Sequence, residues 1–240
     1  MTNHPRPASA DNTVRGTRLP TTANPRSSGA VAFVDVDETL VRDITFLSLY
    51  EFDARRHHRG TEAEATLRIF RSLRESGMSR RDSHRWFYRL WFDREFDDVM
   101  RTGREWFASR SADPAYFNSA VRERLHELAE NGFRIVLVSG SFEAALVPIA
   151  EAIGADEILC TQLVLAEGRF TGEVSATMVG PDKAAALRRY AAREGIDLRA
   201  CAAFGDHHSD IAMFDLVDHP VVVGNCDPAL DRYPAERLPG

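Results

Sequence analysis

Apolar residues in this chain gather in short runs, interrupted only by Arg134, each followed at once by small or polar residues. Ala30–Val34 runs straight into acids, Phe133–Val138 into Ser-Gly-Ser, Ala200–Phe204 into Gly-Asp, and Val221–Val223 into Gly-Asn. Short β-rich runs without polar alternation predict strands buried on both faces, as in a parallel sheet. Between the later runs the period becomes helical. Tyr116–Asn131 puts Phe117, Val121, Leu125 and Leu128 on one face and stops at Asn131-Gly132. Phe142–Ile153 closes at Gly154 and Asp182–Glu194 at Gly195, while Ser209–Leu216 reads as a further helix. Strand–helix alternation of this kind predicts an α/β fold built on a doubly wound parallel sheet.

Three segments depart from the alternation. Residues 44–111 carry Trp86 with Leu90 and Trp91 with Glu95 at helical spacing, with Gly60, Gly77 and Gly103 as turns. They predict roughly four helices and no strand, an all-helical insertion. Residues 157–178 predict a hairpin, Ile158–Leu165 and Phe170–Val174 around Glu167-Gly168. Residues 1–28, rich in Pro, Thr, Ser, Asn and Arg, predict a disordered tail, since they bury too little apolar surface to offset ordering entropy. The expected organisation is therefore tail 1–28, core 29–43 with 112–240, and helical insertion 44–111.

Composition narrows the class. The chain has 240 residues, 44 % hydrophobic and 28 % charged, enough to bury a core without disulfides or metals. Cys160, Cys201 and Cys226 are odd in number and form no C-x-x-C pair, which fits a reducing cytoplasm better than a disulfide scaffold. A net charge of -6 argues against nucleic acid as the main partner. No apolar run approaches the ~18 residues of a membrane span, and residues 1–28 lack the apolar stretch of a secretion signal.

The candidate chemistry lies where the strands end. Asp35 and Asp37 follow the first run at i and i+2, and paired carboxylates there need a neutralising cation, for which Mg²⁺ suits an oxygen ligand set. A solvated acidic loop is the alternative. Asp206 ends another strand, with Asp210 beyond it. His207 and His208 lie between them. Adjacent histidines point to different faces, and no Cys or H-E-x-x-H accompanies them, so they are not read as zinc ligands; one of them is expected to line the site entrance. Val138-Ser139-Gly140-Ser141 is a strand–turn–helix junction whose main-chain N–H groups suit phosphate oxygens. Lys183 is the one lysine among 30 basic residues. It is either a point charge where a guanidinium is too wide or a plain surface residue.

The order acid pair, Ser, Lys, acid pair resembles the haloacid dehalogenase superfamily across residues 30–225. Its D-x-D-x-T reads as Asp35, Asp37 and Thr39, its Ser and Lys as Ser139 and Lys183, and its G-D-x-x-x-D as Gly205, Asp206 and Asp210. The insertion resembles a type 1 cap. Val138–Phe142, the hairpin Gln162–Val174 and Gly205–Met213 are similar to the phosphoserine-phosphatase-like branch. The resemblance implies a Mg²⁺-dependent phosphomonoesterase that acts on a small phosphorylated metabolite through an aspartyl-phosphate. Asp35 would be the nucleophile and Asp37 the general acid and base. Asp35, Asp206 and the Asp37 carbonyl would hold the metal. Thr39, Ser139, Gly140 and Lys183 would bind phosphate, with Asp210 in support.

Several positions depart from the phosphoserine pattern. Glu38 stands where the family commonly has a small residue, Ser141 for a Gly and Ser209 for an Asn. The stretch that carries the ammonium-reading Glu in phosphoserine phosphatases is here Arg42-Asp43-Ile44-Thr45-Phe46. The expected substrate is therefore a small phosphomonoester other than phosphoserine, with Arg42, Asp43, Arg85, Ser141, His207 and Ser209 as candidate contacts. An insertion carrying Arg55, Arg56, His57, His58 and Trp86 suits an anionic or ring-bearing metabolite. Phosphoserine itself, transfer to a second acceptor, and a non-catalytic binding or regulatory role are the alternatives. The reading leaves room for a homodimer.

Overall fold

The computed structural model describes residues 17–18, 29–224 and 226–240. In chain order the strands are β1 (Thr17–Arg18), β2 (Val31–Val34), β3 (Arg134–Ser139), β4 (Glu157–Cys160), β5 (Gln162–Ala166), β6 (Arg169–Ala176), β7 (Ala202–Gly205), β8 (His219–Val223) and β9 (Glu236–Leu238). The helices are α1 (Thr45–Arg56), α2 (Gly60–Glu75), α3 (Arg80–Tyr88), α4 (Phe96–Arg110), α5 (Ser119–Glu130), α6 (Glu143–Ile153), α7 (Pro181–Glu194) and α8 (Ile211–Phe214). The main sheet runs β1-β4-β3-β2-β7-β8-β9. Its neighbours pair in parallel except β1, which pairs antiparallel to β4.

The unbroken apolar run of β2 has a simple cause: both faces of the sheet are covered. Val31 and Phe33 pack into one cluster with Leu187 and Tyr190 of α7 and with Met213 and Phe214 of α8. Ala32 and Val34 pack into the other with Leu125 of α5 and Leu146 of α6. Alternate residues of a strand face opposite sides, so both sets must be apolar. The fold is the expected α/β class.

Helices α1 to α4 lie between β2 and α5. Their aromatic core contains Phe46, Tyr50, Phe70, Phe87 and Trp91. Phe142 joins it to the sheet side, with ring centroids 5.4 Å from Tyr88 and 5.3 Å from Trp91. Two expected turns are not turns. Gly60 opens α2, and Gly103 sits inside α4, where any Cβ would collide with the main chain of Ala144 in α6.

Other expectations shift. Ile158–Leu165 is not one hairpin strand. Glu157–Cys160 joins the main sheet, Thr161 breaks the run, and only from Gln162 does the chain pair with β6. The hairpin then holds the α3–α4 connection through its main chain. Asp93 N donates to Phe170 O at 2.9 Å, Phe170 N to Arg94 O at 3.0 Å, and Phe96 N to Gly168 O at 2.9 Å. Ala200 belongs to a 3₁₀ turn rather than a strand. The helix expected over Ser209–Leu216 is a 3₁₀ turn, His208–Asp210, followed by the short α8. Within the expected tail, Thr17 and Arg18 form β1, and the Thr17 hydroxyl donates to Glu143. The remainder of that tail lies outside the described residues. Among the described residues no helix is long and apolar enough to cross a membrane.

Candidate active site

Three parallel strand ends place the site. Asp35 immediately follows β2, and its N–H continues the ladder to Phe204 O of β7 at 3.0 Å. Ser139 ends β3, and Asp206 follows β7. Glu38 takes a left-handed φ of 61°, a conformation that costs a side-chain-bearing residue about 1–2 kcal/mol. That turn folds the chain back so that the Thr39 hydroxyl reaches Asp206 Oδ1 at 3.0 Å and lies 3.5 Å from Asp35 Oδ2.

Lys183 lies in the first turn of α7, where a helix dipole disfavours a cation. Two carboxylates account for its place. Its Nζ donates to Asp35 Oδ1 and to Asp210 Oδ1, both at 2.6 Å, and the side chain is 4 % exposed. Burial alone would lower its pKa, but Asp210 and Asp35 outweigh that and raise it. Asp210 Oδ2 accepts from His207 N at 3.1 Å. Its carboxylate packs so tightly over Gly205 that a Cβ there would fall 2.6 Å from Oδ2. The Gly in G-D-x-x-x-D is thus a space requirement.

Asp35, Asp206 and Asp210 each offer an oxygen within 4.8 Å of the others. Burial first, and then neighbouring carboxylates against the pull of Lys183, push Asp35 upward. Burial and Asp210 push Asp206 to about 7. Three carboxylates around one ammonium leave two negative charges uncompensated, and a divalent, oxygen-seeking cation fits that deficit. The Asp37 carboxylate is not in this trio. Its Oδ1 accepts from Thr45 N at 2.9 Å and Thr45 Oγ1 at 2.6 Å. Burial raises Asp37 to about 6, although both Thr45 hydrogen bonds oppose the shift. Asp210 is the third carboxylate of this cluster, and the metal contact expected of Asp37, through its carbonyl, does not involve the Asp37 carboxylate.

The Ser139 loop is held from the insertion and from β4. The Gly140 carbonyl accepts from Tyr88 OH at 2.7 Å, Thr161 Oγ1 at 2.8 Å and His84 Nδ1 at 3.2 Å. Ser139 Oγ accepts Ser141 N–H at 3.0 Å, which leaves its own proton to donate. Ser141 Oγ lies 2.8 Å from Thr45 Oγ1; Thr45 gives its one proton to Asp37, so the Ser141 hydroxyl is the donor in this contact. Thr45, His84, Tyr88 and Thr161 were not singled out in the sequence, because no local pattern marks the contacts they make with Asp37 and Gly140.

The candidate substrate contacts divide. Ser141, His207 and Ser209 lie beside the cluster, and Ser209 N and Oγ both reach His207 Nδ1 at 3.1 Å. Arg42, Asp43 and Arg85 each have protein partners, and Arg42 and Asp43 also line the cleft beside Asp206. Arg42 donates to Gly240 O, Asp43 accepts from Arg110 and Ser48, and Arg85 donates to Val174 O at 2.8 Å. Among the other named residues of the insertion, Arg55 pairs with Glu51, Arg56 with Glu105 and His57 with Asp53, while His58 closes α1 at φ 57° and Trp86 stacks on Phe70. Arg80 of α3 also reaches the site, its guanidinium 2.8 and 2.9 Å from the ring nitrogens of His207.

A cleft of about 470 Å³ opens beside Asp206, lined also by Glu38, Arg42 and Val223. A wider one of about 790 Å³ separates α3 from α7, lined by Arg80, Gly180 and Ser209. A third, about 500 Å³, lies between α5 and α6 and is lined by none of these residues.

A sequence model described as haloacid dehalogenase-like hydrolase matches residues 32–215. The inhibition of morphological differentiation protein of Streptomyces azureus is 40 % identical over 50 % of this chain and 43 % of its own length. A phosphoserine phosphatase of Streptococcus thermophilus is 34 % identical over 41 % of this chain and 46 % of its own. Both alignments span less than half of the curated relative. In three dimensions the chain is similar to a protein of unknown function from Bordetella pertussis Tohama I, with a TM-score of 0.78 and 18 % identity over 87 % of this chain and 97 % of that one.

Proposed function

We propose, from the premise that this chain belongs to the haloacid dehalogenase-like hydrolase family, that it hydrolyses a small phosphomonoester other than phosphoserine. The observation that carries the reading is the buried contact of Lys183 with Asp35 and Asp210, set against Asp206. A phosphoryl group needs a nucleophile, positive charge on its oxygens and a proton for the leaving alcohol. The strand ends offer all three.

Asp35 attacks phosphorus in line, and the bond to the ester oxygen breaks as an aspartyl-phosphate forms. Asp37 gives its proton to the departing alkoxide. A carboxyl raised to about 6 is suited to that duty and, once ionised, to taking a proton from the attacking water in the second step. Thr45 aims this carboxyl through two hydrogen bonds. Lys183 and the Ser139 hydroxyl donate to phosphoryl oxygens, with Thr39 and the Gly140 N–H beside them. Asp35 and Asp206 would hold Mg²⁺, with the Asp37 carbonyl as the family resemblance implies. When bound, the ion supplies charge neutralisation and a template for the phosphoryl group.

The substrate argument rests on what is occupied. Asp43 is already bound by Arg110 and Ser48, and Arg85 is turned to the hairpin by a hydrogen bond to Val174 O, which argues against their reading an amino-acid head group. The test is phosphate release from a phosphomonoester panel that includes phosphoserine, with Mg²⁺ and with EDTA. Asp35→Asn should abolish release, and EDTA should suppress it in the wild type. Phosphoserine as the preferred substrate would favour the reading suggested by the Streptococcus relative. Release that survives Asp35→Asn would refute the mechanism.

A further inference from the structure

Sequence logic sends adjacent histidines to opposite faces, and that logic fails here. The 3₁₀ turn after β7 brings the His207 and His208 rings together, with centroids 4.0 Å apart. Asp227 faces both. His208 Nδ1 lies 2.6 Å and His207 Nε2 3.5 Å from the same oxygen, Asp227 Oδ2. One donor atom from each residue lies within 4.8 Å of the others. This cluster shares no residue with the trio of carboxylates, although main-chain hydrogen bonds join His207 to Asp210 and Asp227 to Asp206.

We infer that His207, His208 and Asp227 form a second metal site, for a borderline transition-metal ion of which Zn²⁺ is the representative. Two imidazole nitrogens and one carboxylate oxygen suit Zn²⁺, with water completing the coordination; Mg²⁺ prefers an all-oxygen set. The carboxylate is held in advance. Asp227 Oδ1 accepts Ala229 N–H at 2.8 Å, and Asp227 N donates to Asp206 O at 2.8 Å. Oδ2 is thereby left turned toward the two rings.

The ring protons can be placed to suit. With its proton on Nδ1, His207 donates to Ser209 Oγ at 3.1 Å and presents Nε2 as a ligand. In the other tautomer Nδ1 accepts Ser209 N–H, so binding moves one proton between the ring nitrogens of His207. His208 must likewise carry its proton on Nε2, and its side chain is 58 % exposed, so water can accept that hydrogen bond. Arg80 is the competitor, because its guanidinium lies 2.9 Å from the nitrogen that the ion would take. Occupation of the site therefore displaces a contact between the helical insertion and the sheet domain.

The test is calorimetric titration of the full chain with Zn²⁺ in saturating Mg²⁺, a readout that needs no catalysis and so stands apart from the phosphatase reading. Ligand-field absorption with Co²⁺ in place of Zn²⁺ reports the donor set. His208→Ala and Asp227→Ala should each weaken binding tenfold or more, with the fold intact by circular dichroism and Mg²⁺-dependent phosphate release unchanged. Arg80→Ala should tighten binding several-fold. Wild-type affinity in both the His208 and Asp227 variants, or loss of the ion in Asp206→Asn alone, would place it among the carboxylates and overturn the site. An unchanged affinity in Arg80→Ala would overturn the competition.

Discussion

Burial pushes the His84 imidazole down to about 3, and the charges of Arg80, Arg74 and Lys183 add to the effect against the Gly140 hydrogen bond. In the unfolded chain the same ring titrates near its ordinary value of ~6.5. Between those two values the unfolded chain binds a proton that the folded one refuses, so stability is lost as pH falls through that window. One such proton contributes at most ~1.4 kcal/mol per pH unit. In His84→Phe this component disappears, and the stability difference between about pH 7 and about pH 4.5 should shrink by roughly 2 kcal/mol. Urea unfolding at the two pH values measures it, and an identical pH dependence in both proteins would contradict it. The Gly140 carbonyl keeps its Tyr88 and Thr161 donors in the variant. Nothing in the sequence marks this histidine. A lone His on an aromatic helix is most often a core residue, and here it is one whose hydrogen bond also braces the loop after β3.

Among the elements, α4 and α6 meet at Gly103 and Ala144. On an exposed helix, replacing Gly by Ala stabilises by up to ~1 kcal/mol. At Gly103 the added methyl meets the Ala144 main chain, which cannot step aside as a flexible side chain would. Gly103→Ala should therefore destabilise, by about 1–3 kcal/mol, and calorimetry should show a lower melting temperature. A higher one would mean that the two helices are free to separate. The sequence exposed the elements unevenly. Strands β2, β3, β7 and β8 show through because both-face burial demands unbroken apolar runs. The β4–β5 boundary does not, since Thr161 and Gln162 are a short polar break in a long apolar stretch and the Thr161 hydroxyl is spent on Gly140. β9 carries Glu236 and Arg237 at a half-covered edge, with no apolar signal at all. The acids that follow β2 and β7 marked those two strand ends in the sequence. The ligating alignment of His207 with His208 was not legible there, because it needs Asp227 from a distant loop and a 3₁₀ turn in place of the expected helix.

For the whole molecule, the crowded carboxylates make folding and cation binding parts of one equilibrium. A ligand that binds only the folded state adds about 2.7 kcal/mol at a hundred times its dissociation constant. For a chain of this size that is a rise of roughly 5–10 °C in melting temperature. Mg²⁺ should produce such a rise in the wild type and not in Asp206→Asn, as thermal unfolding with and without EDTA will show. The hairpin adds a consequence in time. Its strands hold the loop at Asp93–Phe96, and Arg169, which donates to the Asp93 carbonyl, lies 76 positions further along the chain. During synthesis the four insertion helices leave the ribosome well before the strands that fasten them. Their aromatic core must therefore wait, partly uncovered, for the second half of the chain. Such an interval favours capture by chaperones or by a neighbouring nascent copy. The part of the molecule made early is the part that is secured late.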